Sequence, residues 1–374
     1  MTPRDSAPSR LAIVRREWFL AVGIATSVIF EIWPEALFRG IANPLWLTVL
    51  LVWLFAVVLG CALGVVRHAE CLSERLGEPF GTLVLTLSIT AIEVMSISAV
   101  MLHSDNNPTL VRDTLFSVVM IVLGGMVGTS LLLGAIRHRE QTFNLQGANA
   151  YLGVIVPLAI FSLVLPNVTT STAGPTLSLT QQIMVGGMAA ACFATFLLIQ
   201  TSRHRAYFAQ PESEDLLSEV EGHKPPLLPH LLLLLAFMSP VVFLVEQLAR
   251  PIDYIIETLN GPQIVGGIVM AVLVATPEAI GGVKAALRNR LQQSVNIFLG
   301  SVLATIGLTV PVMLIFSAVA GLELTLGLSA EDMVLLGTML AVCVITFSSG
   351  RTHLLQGVVH ILIFLAFLVL AFEG

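Results

Sequence analysis

Long apolar runs separated by short polar stretches make up most of the chain. About 20 mostly apolar residues cross a bilayer as a helix. On that scale the pattern predicts eleven spans, roughly 18–38, 44–66, 79–102, 112–136, 148–166, 180–201, 228–248, 263–286, 294–320, 331–348 and 352–372. Glu31, Pro34 and Glu35 shorten the first of them, and the tenth is near the lower length limit. Continuous runs of this length, in place of alternating ten-residue segments, exclude an outer-membrane barrel. The predicted fold class is an all-α polytopic membrane protein of about 11 transmembrane helices.

The polar stretches organise the chain. The longest of them follows the sixth span and separates a cytosolic tail (1–17), a lead helix and its loop (18–43), a first five-helix unit (44–201), an acidic cytosolic linker (202–229) and a second five-helix unit (230–374). A unit with an odd number of crossings is inverted when it repeats. The plan is therefore one lead helix plus two inverted five-helix repeats, an arrangement that places sites at the midplane between the halves. Four arginines precede the first apolar run in the manner of a signal sequence, but no small-residue cleavage site follows, so that run is expected to be retained.

Composition and charge sharpen the picture. Of the residues, 56% are hydrophobic and 11% charged, whereas a soluble domain is about a quarter charged. With the N-terminus in the cytoplasm, the eleven-span plan leaves only Arg39, Arg112 and Arg250 of the 18 lysines and arginines on the far side. That partition is what the positive-inside rule demands. It places the chain in a bacterial inner membrane, with its C-terminus opposite the cytoplasm.

Within this apolar background two carboxylates stand out. Glu93 lies near the middle of Gly81 to Leu102, and Glu278 has the same offset in Gly266 to Leu287. An acid at membrane depth is costly and by default marks an ion or proton path. Two such groups meeting at the midplane neutralise one divalent cation. Emptied of it, they cannot both stay ionised, and protons replace the ion. Cation or protons, never both, is antiport in its simplest form.

The surrounding sequence offers further oxygens. Thr90 and Thr86 precede Glu93 on its helical face. Pro277 removes a backbone donor and partly frees the carbonyls of Leu273 and Val274, as in the interrupted helices that line transport cavities. Each glutamate helix is followed by a companion helix rich in small and hydroxylated residues. The first offers Thr129 and Ser130 beside Gly124, Gly125 and Gly128; the second offers Ser301 and Thr305, four apart on one face. Such residues suit close packing and an ion path alike. Asn296 is a further donor near the cytoplasmic end. In the linker, Glu212, Glu214, Asp215, Glu219 and Glu221 form either a solvated connector or a regulatory cytosolic calcium sensor.

Other chemistry is absent. Cys61, Cys71, Cys192 and Cys343 have no metal or disulfide spacing. No HExxH motif points to a membrane protease, and no GxxxxGK[ST] loop points to nucleotide use. The expected partners are membrane lipid, Ca²⁺ and H⁺ as transported ions, and a second copy as a candidate homo-oligomer. No cofactor and no nucleic acid are expected.

The stretches ERLGEPFGTLVLTLSITAIEV, NPTLVRDTLFSVVMIVLGGMVGTSLLLG, ATPEAIGGVKAALRNRLQQSVNIFLGSVLATIGLTVP and SSGRTHLLQGVVHILIF resemble the calcium/cation antiporter superfamily, in particular its bacterial calcium/proton exchanger branch. The resemblance spans nearly the whole chain. It implies eleven helices, inverted five-helix repeats, an acidic cytosolic helix between them, and one essential glutamate per repeat, here Glu93 and Glu278. The expected activity is export of cytosolic Ca²⁺ in exchange for H⁺. Departures keep a monovalent Na⁺/H⁺ or K⁺/H⁺ antiporter open as the alternative. Ser88-Ile89 and Leu273-Val274 stand where the wider family has Gly-Asn. Ala304 replaces its glutamine, and Gly128 or Thr129 its asparagine.

Overall fold

The computed structural model describes residues 17–76, 80–103, 107–208 and 227–373. Among the described residues eleven long helices follow one another. They are α1 (Trp18–Ile32), α2 (Pro44–Leu76), α3 (Phe80–His103), α4 (Leu110–His138), α5 (Leu145–Val168), α6 (Leu179–Arg203), α7 (Leu227–Thr258), α8 (Ile264–Leu287), α9 (Leu291–Ala320), α10 (Ala330–Thr346) and α11 (Leu354–Glu373). Nine are long and apolar enough to cross a membrane; α1, with 15 residues, and α10, with 17, are shorter. The acids proposed for the linker, Glu212, Glu214, Asp215, Glu219 and Glu221, lie outside the described residues.

Local chemistry sets the helix ends. Asn144 opens α5 by accepting hydrogen bonds from the backbone of Gln146 and Gly147. Ser178 and Gln181 form a reciprocal capping box at the start of α6, and Ser329 caps α10 through the Asp332 amide. Gly321 closes α9 in the left-handed conformation that glycine tolerates best. Two helices overrun their predicted ends. α2 continues past residue 66 to Leu76, and α7 past 248 to Thr258, because hydropathy marks only the apolar part of a helix while polar helix formers extend it into water. One departure from an all-helical chain is a two-residue antiparallel ladder joining Gln141–Thr142 to Arg351–Thr352.

The two companion helices form the centre. The most apolar stretch of α4 is 78% buried and that of α9 61%, against 17% for α11. Small residues allow this crowding. A side chain at Gly267 would place its Cβ 2.7 Å from the Asp113 carbonyl oxygen, so α8 crosses α4 there backbone to backbone. α1 packs outside, its Gly23 against Cys61 of α2 and Pro240 of α7. At one end of the bundle, Arg67 pairs with Glu17, His68 contacts His230 at 2.9 Å, and His138 contacts the Leu287 carbonyl. At the other end, Arg112 binds Asp113 at 2.8 Å and the Gly327 carbonyl at 3.1 Å, while Arg250 stacks on Phe38.

Candidate functional site

The two glutamates meet inside the bundle. Glu93, on α3, is buried at 1% exposure, and Glu278, on α8, is half-buried. Both line one cavity of about 260 Å³. The hydroxyls of α9 hold them. Ser301 Oγ donates to Glu278 Oε2, and Thr305 Oγ1 donates to Glu93 Oε2 at 3.1 Å. These hydroxyls are four residues apart, about 6 Å along the axis. One helical face thus presents a separate donor to each acid, and α9 bridges the two glutamate helices, which also touch each other directly.

The rest of the predicted shell divides. Thr86, Thr90, Val274, Pro277 and Asn296 line the cavity. Asn296 also ties the structure together, since its amide donates to the Phe208 carbonyl and accepts from Gln292. The expectation of an interrupted helix at Pro277 is not met. α8 runs unbroken from Ile264 to Leu287, and Leu273 is buried without lining the cavity. Thr276 bonds back to the Val272 carbonyl at 2.5 Å, one turn before it.

Thr129 and Ser130 correct the expectation for the first companion helix. Neither lines the cavity. The small face of α4 is packed on α11: a Cβ at Gly128 would meet Ile361 at 2.8 Å and His360 at 3.0 Å. His360 is fully buried and bonds the Leu123 carbonyl at 2.6 Å and Thr346 at 3.0 Å, which fixes α4 against α10 and α11. The oxygen-bearing companion is α9 alone.

Some lining residues escaped sequence reasoning. Tyr151 on α5 and Gln200 on α6 form a wall of the cavity, joined by a 3.0 Å hydrogen bond from the amide to the phenol. Glu70 and Gln293 stand exposed at its mouth. Gln200 is the polar residue that ends an apolar run, and Glu70 lies on the overrun of α2; those signals could have found them. The mouth opens at the end of the bundle that carries Arg67, Arg203, Arg288 and Arg290. Ile97, Ile306, Thr309 and Met313 are fully buried and do not line the cavity.

Chemically, the arrangement is an all-oxygen set. Two carboxylates and neutral hydroxyls suit hard cations. Among the described residues no group of three or more His, Cys, Asp or Glu is placed to hold a metal. Two acids in an apolar cavity are costly to keep charged together without a counter-charge.

Sequence and structural comparisons identify the family. The family described as sodium/calcium exchanger protein matches residues 46–202 and again 229–373. The chain is 40% identical over 319 residues, 84% of its own length and 86% of the relative's, to a sodium-potassium/proton antiporter named ChaA from Escherichia coli. It is 42% identical over 327 residues, covering 86% and 88%, to a putative ionic transporter, y4hA, from Sinorhizobium fredii. Among solved structures it is similar to YfkE, described as a Ca²⁺/H⁺ antiporter protein, with a TM-score of 0.71 at 19% identity over 95% of this chain and 99% of that one. With its multi-pass helical bundle and both halves matched, the chain belongs to the sodium/calcium exchanger family and is a membrane cation/proton antiporter.

Proposed function

We propose that the chain exports Ca²⁺ from the cytoplasm in exchange for inward-moving H⁺, through a site in which Glu93 and Glu278 take the cation and the protons alternately. The observation that carries this reading is the pair of carboxylates in one cavity, each held by its own hydroxyl of α9. Two negative charges match one divalent ion, and Ser301, Thr305 and Thr90 supply oxygens toward the six to eight that Ca²⁺ takes. The two halves act as inverted repeats, a reading supported by the separate family match to each. Orientation follows from charge. The arginine-rich end is cytoplasmic, so the cavity is the inward-facing one and a bacterial inner membrane is the setting.

A second reading has its own support. The 40%-identical relative carries the name sodium-potassium/proton antiporter. With one proton retained on the pair, the same oxygens suit a monovalent ion. Inside-out vesicles with a respiration-driven proton gradient distinguish the two. Dissipation on adding Ca²⁺ alone supports the first reading, and dissipation by Na⁺ or K⁺ without Ca²⁺ supports the second. No response to any of the three would sink both.

A further inference from the structure

The hydroxyl series on α9 does not stop at Thr305. Ser301, Thr305 and Thr309 are spaced by four residues, and the first two bond the site carboxylates. In a regular α-helix each such step turns the side chain by about 40°, so the third hydroxyl would drift away from the first. Residues Thr305–Thr309 instead form a wider, π-type turn, which counters that drift. Thr309 is fully buried and lies against Glu93.

Two atoms there lack partners. Thr309 Oγ1 faces the Glu93 carboxylate, yet neither it nor Glu93 Oε1 comes within hydrogen-bond geometry of any partner. A threonine inside a helix ordinarily bonds back to the carbonyl four residues earlier. Thr48, Thr201, Thr276 and Thr338 all do so here. Thr309 does not, so its hydroxyl is withheld from its own backbone. Nine buried side-chain atoms are unpaired among the described residues, Thr114 Oγ1 and Ser130 Oγ included; a missing water or ion is a physical reason for such atoms, and Thr309 Oγ1 and Glu93 Oε1 are the two that lie beside each other at the carboxylate site.

Resting on the antiport reading above, we propose that Thr309 is a further ligand of the transported cation. Its Oγ1 and Glu93 Oε1 form the end of the site away from the cavity mouth, and an ion seated there satisfies both atoms at once. A neutral hydroxyl serves a divalent or a monovalent cation equally, so the assignment does not depend on which ion is carried.

The test uses the full chain in proteoliposomes, with exchange measured against Ca²⁺ and Na⁺ separately. Thr309→Val, which keeps the shape and removes the oxygen, is expected to raise the half-saturating cation concentration about tenfold, the effect of one lost oxygen contact to a charged group. Its maximal rate stays within about twofold, and Thr309→Ser behaves as the unaltered protein. Thr309→Ala, which removes the oxygen without adding an apolar methyl, gives the same rise. Unchanged half-saturation in either the valine or the alanine variant overturns the proposal. Should the unaltered protein exchange neither ion for protons, the antiport reading falls. Calorimetric titration of detergent-solubilised protein with Ca²⁺ and with Na⁺ then still decides Thr309: unweakened binding of both ions in Thr309→Ala overturns it.

Discussion

The two companion helices, α4 and α9, have nearly the same composition and opposite employment. Both are rich in glycine, serine and threonine, both hold a π-type turn near their middle, and both are central in the bundle. α4 turns its small residues to α11, where His360 and Ile361 fill the space a side chain would need. α9 turns its hydroxyls to Glu93 and Glu278. Small polar residues in a membrane helix are thus equivocal by nature: the same letters permit close approach or build a site, and only the neighbour decides.

The largest effect belongs to the acids that α9 holds. Glu93→Gln and Glu278→Gln each remove a charge that no neighbour replaces, and each is expected to abolish exchange while the protein remains monodisperse after solubilisation. Next come the hydroxyls themselves. Ser301→Ala and Thr305→Val should lower cation-dependent proton flux at subsaturating ion by about tenfold. Thr129→Val and Ser130→Ala on α4 should leave it within about twofold. Equal losses on the two helices would erase the distinction between them.

Gly128→Leu probes the packing side of the contrast. The added side chain meets Ile361 and His360, so a stability loss of roughly 1–3 kcal/mol is expected, read as earlier thermal aggregation in detergent. Gly153, which faces open space, tolerates alanine without that loss. The smallest effect belongs to the linker. Neutralising Glu212, Glu214, Asp215, Glu219 and Glu221 together should alter the calcium dependence of exchange without stopping it, measured as the shift of the activation curve in vesicles.

Sequence was sufficient for some features for identifiable physical reasons. Glu93 and Glu278 are legible because a lone acid in an apolar run is costly, and chains keep one only for use. Ser301 and Thr305 are legible as a pair because four residues return a helix to the same face. What stayed hidden was direction. α4 is buried on nearly all sides, so it has no polar stripe to tell which face meets the cavity, and Thr129 and Ser130 read as well as Ser301 and Thr305. Tyr151 and Gln200 meet across two helices, and no local pattern encodes that contact. Pro277 carries a strong local signal for interruption, yet tertiary packing keeps α8 continuous through it.

The central claim is that one cation sits between Glu93 and Glu278. The direct measurement is crystallography of the protein soaked in Sr²⁺, with anomalous scattering to locate the ion. The account predicts a single strong peak within about 2.3–2.7 Å of oxygens from both glutamates, lost in Glu278→Gln crystals. A peak bound to one glutamate alone, or none at the pair while an ion occupies another part of the bundle, would contradict it.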